Sequence, residues 1–360
     1  MSSEFVHDNG ILYGINKSND SLVIVDRFSL NNANSIIFAQ SGSGKSYLSK
    51  IEILRQLVDG TQVIVIDPER EYSNLSDSVN GSYIKLSAKS SQHINPFDTQ
   101  SPVLGTRELS EHVQDLTAII SLMVDGLNSR EKAAVDKAIL KLYKSAKNSS
   151  PILIDFYKEL LKLKQTKLCE RLDKFISGSL SEVFNAQTNI DLNNRLIVFD
   201  IKDLPESLRA IMMLVITNFV SNKVKLKPEK RLLVIDEAWL LLEYETSARF
   251  LAGLVRRARK YYLGVSVISQ QANDFLNNEY GRAIASQSAL RILMKQDSTT
   301  IRNVVSEFNL SEFEHSFLLS ADRGECLMIA DQTHVAIKII ASKQEHPLIT
   351  TNPTETYKVR

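Results

Sequence analysis

Cysteine, tryptophan and proline are scarce in this 360-residue chain, with two, one and eight copies, and the net charge is only +1. Cys169 and Cys326 lie far apart, with no His or further Cys at ligand spacing. That excludes a disulfide framework and a zinc ribbon, and it fits a reducing compartment. Long hydrophobic runs are missing too. The greasiest stretch, Ala210–Val220, already contains Thr217 and Asn218, whereas a membrane span needs about 20 apolar residues. Any membrane role is therefore expected to be peripheral. Residues Met1–Asp8 lack the basic and apolar regions of a signal peptide, and balanced charge gives no whole-chain reason to expect a polyanion partner. No internal repeat or low-complexity segment appears. What remains, 43% hydrophobic and 24% charged residues, is an ordinary globular composition. The length suggests two domains, or one large α/β domain with an insertion.

Short apolar runs rich in Val and Ile, bounded by turn residues, read as buried strands: Ser35–Ala39, Gln62–Ile66, Leu196–Asp200, Leu232–Ile235, Gly264–Ser269 and Ala289–Met294. They are near-continuous rather than alternating, which predicts a parallel sheet covered on both faces. Glu325–Ala330 and His334–Ile340, separated by Asp331-Gln332-Thr333, read as a hairpin. Helical patterns lie between several strands, so a doubly wound α/β core is expected. From Thr106 to Gly178 only helical patterns occur. Leu109, Val113, Leu116, Ile120 and Met123 share one stripe, and Val135, Ala138, Ile139 and Leu142 another. Asn128 with Glu131 forms a capping-box signature, Ser150-Pro151 opens a third helix and Gly178 ends a fourth. The expected organisation is a first part of the α/β core over 1–105, an inserted helical subdomain over 106–190, and the second part of the core over 191–360.

The chemistry centres on Ala39-Gln40-Ser41-Gly42-Ser43-Gly44-Lys45-Ser46. An apolar run precedes it and the helical pattern Leu48, Ile51, Leu54, Arg55, Val58 follows. That strand–loop–helix setting is what a phosphate-binding loop requires. Gly42 and Gly44 let backbone N–H groups turn inward around phosphates, and the following helix adds its N-terminal partial charge. Ser41 through Tyr47 are thus the expected nucleotide contacts, with Lys45 on the β- and γ-phosphates and Ser46 on Mg²⁺. Ala39 stands where the strict pattern has its first glycine, which alanine tolerates at negative φ.

Leu232-Leu233-Val234-Ile235-Asp236-Glu237-Ala238-Trp239 supplies two acids at the end of an apolar strand. Asp236 would support Mg²⁺, and Glu237 would polarise the attacking water. Trp239 reads as a packing residue. Gln270, at the tip of a further strand, is placed where a γ-phosphate sensor would sit, with Gln271 an equal candidate on chemistry. The densest basic cluster, Arg256-Arg257-Ala258-Arg259-Lys260, reads as a solvated face, a nucleic-acid patch or an arginine finger acting on a neighbouring subunit. Lys223–Arg231 is a further candidate for a basic strip. A switch GTPase is disfavoured, because Asn16-Lys17-Ser18-Asn19 precedes the loop and lacks the required aspartate.

With these motifs in place the chain resembles the hexameric DNA- and protein-transport ATPases of the HerA/FtsK type. It is closer to the conjugation and type IV secretion motors of the TraC/TrbE type. The likeness runs from the lead-in strands around Gly14–Asp26 to about Pro347. Beyond the phosphate loop it rests on Asp67-Pro68-Glu69-Arg70-Glu71-Tyr72, Asn95-Pro96-Phe97-Asp98, Asp236-Glu237-Ala238-Trp239, and Arg259-Lys260-Tyr261-Tyr262 ahead of Gln270. The resemblance implies a RecA-like P-loop NTPase core with a mainly parallel sheet and an inserted all-α subdomain. It implies ATP and Mg²⁺ as cofactors, with Lys45 and Ser46 on phosphate and metal, and Asp236 supporting the metal. Glu237 would be the catalytic carboxylate, Gln270 the γ-phosphate sensor and Arg259 the finger given in trans, with Arg323 of Arg323-Gly324-Glu325 a second interface candidate. Glu71 matches a family position without an evident role. It further implies partner subunits of a secretion or conjugation complex, a homo-hexamer in the working machine with a monomer in isolation, DNA contact as an alternative, and a cytoplasmic location at the inner or plasma membrane face. Family members carry a large N-terminal domain, so Met1-Ser2-Ser3 is read as an arbitrary start and the chain as an isolated motor domain.

Overall fold

Each near-continuous apolar run is a central strand of one large sheet. The structure is a computed structural model describing residues 5–99, 105–145, 150–178 and 180–350; the start read above as arbitrary lies outside the described residues. The strands are β1 (Ile11–Asn16), β2 (Leu22–Val25), β3 (Ser35–Phe38), β4 (Gln62–Asp67), β5 (Ser82–Lys85), β6 (Leu196–Asp200), β7 (Arg231–Ile235), β8 (Leu263–Ser269), β9 (Leu290–Leu293), β10 (Glu325–Ala330) and β11 (Thr333–Ile339). Their order is β2-β1-β11-β10-β9-β3-β8-β7-β4-β6-β5. From β9 to β5 every pairing is parallel; the β9-β10-β11-β1-β2 side is antiparallel.

Alternation along the buried strands divides the core between two faces. Ile37, Val63, Val65, Leu232, Val234 and Ile268 pack on one side with Leu48 and Ile51 of the helix Lys45–Val58. Ile36, Phe38, Ile64, Ile66, Leu233, Ile235, Val265 and Val267 face the other, under the helices Glu206–Leu226 and Glu245–Ala258. Fully burying one such aliphatic side chain is worth about 1.5–3 kcal/mol, which is why Ala210–Val220 is greasy all round: it is the middle of a helix buried between layers. Val58, read as part of the apolar face of its helix, is instead exposed at its C-terminal end.

Between β5 and β6 run the helices Thr106–Met123, Ser129–Ser145, Leu153–Lys162, Thr166–Leu172 and Ser181–Phe184, with no strand among the described residues. Their apolar stripes join the core of the second sheet face. The Asn128/Glu131 capping box forms as read: Glu131 N–H donates to Asn128 Oδ1 at 3.0 Å, and Asn128 N–H to Glu131 Oε2 at 2.9 Å. The third helix opens at Leu153, two residues past Pro151, because Asp155 caps the Ile152 N–H. The fourth ends at Leu172 and runs on as a 3₁₀ turn to Phe175. Gly178 lies just beyond, where a Cβ would come within 2.8 Å of the Lys174 backbone. The late hairpin turns on Asp331-Gln332 alone, since Thr333 already belongs to β11. No helix of the described residues is long and apolar enough to cross a membrane.

Candidate functional site

The phosphate loop leaves β3 and enters the helix Lys45–Val58 at its N-terminus. Ala39 has no positive φ, whereas Gly42 and Gly44 take φ of 81° and 108°. These are left-handed conformations that glycine adopts without a Cβ clash, so the two glycines shape the turn and the missing first one costs nothing. Ser43 is pinned, its Oγ donating to the Gln40 carbonyl at 2.6 Å. The antiparallel wing also reaches the loop, where Gly324 N–H donates to the Ser43 carbonyl at 2.9 Å.

Three adjacent strand ends converge on Lys45. Its ammonium lies 2.7 Å from Asp236 Oδ1 and 2.5 Å from Glu237 Oε1, and all three side chains are buried. Gln270, at the tip of β8, donates to Glu237 Oε1 at 2.6 Å, whereas Gln271 stands at the N-cap of the next helix. Glu237 has φ +49°, a left-handed conformation that costs a non-glycine residue of order 1–3 kcal/mol. That turn lets neighbouring residues on one strand end aim both carboxylates at Lys45. Burial opposes the charge on Lys45, but Asp236 and Glu237 outweigh it and hold its pKa above the ordinary lysine range. Burial likewise opposes ionisation of Glu237, yet Lys45, Gln270 and Trp239 together keep it below the usual carboxylate range. Asp236 is raised, because complete burial and the neighbouring Glu237 charge outweigh its share of Lys45. The Ser46 hydroxyl, in the first turn of the helix, and the Asp236 carboxylate are hard oxygen donors of the kind Mg²⁺ takes. Lys45 and the open rim at Gly42, where a Cβ would meet nothing within 4 Å, suit a polyphosphate.

Trp239 was read as packing; the structure adds a polar role. Its indole N–H donates to Glu237 Oε2 at 2.8 Å, so both carboxylate oxygens of Glu237 are held. It is the only tryptophan, and its emission is expected to change when a nucleotide draws Lys45 away from Glu237. Titrating ADP against intrinsic fluorescence checks this; constant emission at saturation, with binding confirmed by equilibrium dialysis, would contradict it.

Other sequence candidates lie elsewhere. Arg259 follows the helix Glu245–Ala258, exposed and with no ion pair among the described residues, at the start of β8. Gln270 is at the opposite end of that seven-residue strand, about 20 Å away, so Arg259 cannot reach the site of its own chain. Arg256 and Lys260 are exposed beside it. Within the strip read in Lys223–Arg231 most of the basic side chains are tied into the fold, Lys227 alone being well exposed. Arg231 is buried, with its guanidinium on Gln62, the Lys227 carbonyl and Glu229. Lys223 binds the Leu192 carbonyl, Lys225 pairs with Glu111 and Lys230 with Asp59. Tyr47 turns its hydroxyl to His346, 3.0 Å from Nδ1. Arg323 is exposed, next to the Gly324 that contacts its own phosphate loop. One Glu71 carboxylate oxygen is buried without a partner.

Strand order, loop and converging acids together define a P-loop nucleoside triphosphatase core of the RecA-like class. A family model for the TraG P-loop domain matches residues 20–359. The structure of VirB4 of Thermoanaerobacter pseudethanolicus superposes with a TM-score of 0.85 and 29% identity, over 95% of this chain and 99% of that one. The conjugative coupling protein TrwB, also solved in complex with ADP and Mg²⁺, shares the fold at a TM-score of 0.59 and 13% identity, over 86% and 85% of the two chains. Among curated proteins, the type IV secretion system protein virB4 of Bartonella quintana (strain Toulouse) is 26% identical over 154 residues. That match spans 42% of this chain and 19% of the length of that relative. The chain belongs to the TraG P-loop domain family.

Proposed function

We propose that this chain hydrolyses ATP in a Mg²⁺-dependent reaction that powers substrate transfer or pilus assembly in a type IV secretion or conjugation machine. The observation that carries the reading is the convergence of Lys45, Asp236, Glu237 and Gln270 at three neighbouring points of one site. Lys45 and the loop amides bind the phosphates, Ser46 and Asp236 hold Mg²⁺, Glu237 orients the attacking water and Gln270 senses the γ-phosphate. The helical segment 106–190 serves as a nested subdomain of this motor. The relatives named above support the machine assignment, within which the chain docks peripherally at the membrane.

Arg259 completes the site in trans. It is exposed and remote from its own Gln270, so assembly, as a homo-hexamer in the working machine, brings it to a neighbour's nucleotide. ATPase rate per chain is therefore expected to rise with protein concentration. Arg259→Ala should remove that rise, costing about 10²-fold or more at high concentration, given the ~10³–10⁵ that such fingers supply. A rate per chain that is flat with concentration and unaffected by Arg259→Ala would overturn the trans assignment. Running the assay with and without DNA distinguishes a DNA-stimulated translocase, which exposed Arg256 and Lys260 would serve, by its steep salt dependence.

A further inference from the structure

The string Asp67-Pro68-Glu69-Arg70-Glu71-Tyr72 is not used by the catalytic reading, yet it is built tightly against the site. Asp67 ends β4, the strand beside β7, and is fully buried. Its carboxylate accepts three backbone N–H groups: Glu69 at 3.3 Å and Glu71 at 3.0 Å on Oδ1, and Tyr72 at 3.0 Å on Oδ2. Arg70 takes φ +60°, anchored by its guanidinium 2.6 Å from Asp200. A strained turn clamped at both ends has one evident product, the position of Tyr72.

Tyr72 is completely buried, and its hydroxyl is 3.1 Å from Ser49 Oγ and 3.3 Å from Asp236 Oδ2. Ser49 belongs to the helix that follows the phosphate loop. The hydroxyl thus sits between that helix and the strand end bearing the acids. The two Asp236 oxygens have different partners. Oδ1 takes Lys45 and the Glu237 N–H, at 2.7 and 2.9 Å, and Oδ2 takes Tyr72. A nucleotide that attracts Lys45 removes that hold on Oδ1 and leaves the Glu237 N–H on Oδ1 and Tyr72 as the one hold on Oδ2.

We propose that Tyr72 is a positioning residue for the metal carboxylate: its hydroxyl fixes the orientation of Asp236, and the clamped Asp67–Tyr72 turn exists to place it. This rests on the nucleotide reading above. Groups that orient a metal ligand typically contribute 10–100-fold in metal affinity. Tyr72→Phe removes the hydroxyl and keeps the buried ring. The test uses the full chain saturated with ADP, with Mn²⁺ as the probe and free Mn²⁺ followed by electron paramagnetic resonance. Tyr72→Phe is expected to bind ADP in EDTA within twofold of the parent, showing an intact fold, while Mn²⁺ binds its ADP complex about 10-fold more weakly. Equal Mn²⁺ affinity in parent and variant would overturn the role of Tyr72 alone. A parent that fails to bind ADP, or whose ADP complex binds Mn²⁺ no better than free ADP does, would overturn the nucleotide reading and this inference with it.

Discussion

Lys45→Ala is expected to abolish ATP hydrolysis and to destabilise the fold at the same time. On the proposed reading, the first effect follows from the loss of the cation that would meet the β- and γ-phosphates, for which about 10²–10³-fold is a lower expectation. The second follows from the site without nucleotide. Lys45 lies between Asp236 and Glu237, with all three side chains buried. Alanine would leave two carboxylates facing each other with Gln270, Trp239, Tyr72 and the Glu237 N–H as their hydrogen-bond donors. Breaking a buried ion pair by removing one partner costs about 3–5 kcal/mol. Thermal or urea unfolding of Lys45→Ala should show a loss of that order. A second substitution separates the causes. Lys45→Ala with Glu237→Gln removes one of the two stranded charges, so it should recover stability while remaining inactive. If Lys45→Ala unfolds like the parent, or the double variant is no more stable than the single, the buried-charge account is wrong. If Lys45→Ala retains activity within tenfold, the nucleotide site itself is wrong.

The features most legible in the sequence were those written in contiguous residues. The parallel strands were visible because burial on both faces demands unbroken Val and Ile, as in Leu232–Ile235. The phosphate loop was visible because its glycines must occupy left-handed φ. Strand order was not readable, since neighbours such as β3 and β8 are far apart in the chain. Strand β5 escaped because a four-residue edge strand, half exposed, carries almost no pattern. The charge run Lys223–Arg231 misled for a different reason. Side-chain partners such as Gln62 and Asp59 approach only in the fold, so the charge count overstated what faces solvent. Trp239 was assigned to packing because nothing local announces the left-handed turn at Glu237 that brings its indole N–H back onto that carboxylate. The Asp67–Tyr72 string was noticed only through family resemblance. Its physical content, a carboxylate collecting three amides to aim one hydroxyl, needs coordinates.

Glu237→Gln should separate nucleotide binding from turnover. Glutamine preserves the size of the side chain, and its one carbonyl oxygen can keep the Lys45 and Gln270 donors on the Oε1 side, at the expense of the Trp239 N–H. What it lacks is the negative charge that, in the proposed reading, attracts a proton from the attacking water. A general base contributes about 10²–10⁴-fold, and the steady-state ATPase rate is expected to fall by that amount. ADP affinity should hold or improve, because the buried ion pair that competes with phosphate for Lys45 is reduced from two carboxylates to one. That pairing of outcomes, lower turnover with equal or tighter binding, distinguishes Glu237 from Asp236. Asp236 supports the metal in this reading, so Asp236→Asn should weaken Mg²⁺-dependent binding as well as hydrolysis. Measuring kcat and the ADP dissociation constant for both variants decides the matter. Hydrolysis persisting in Glu237→Gln would remove it as the base. The same Lys45 contacts then predict a further signature: because Glu237 no longer competes fully for the ammonium, the Trp239 emission of Glu237→Gln without nucleotide should already be shifted toward that of the nucleotide-bound parent.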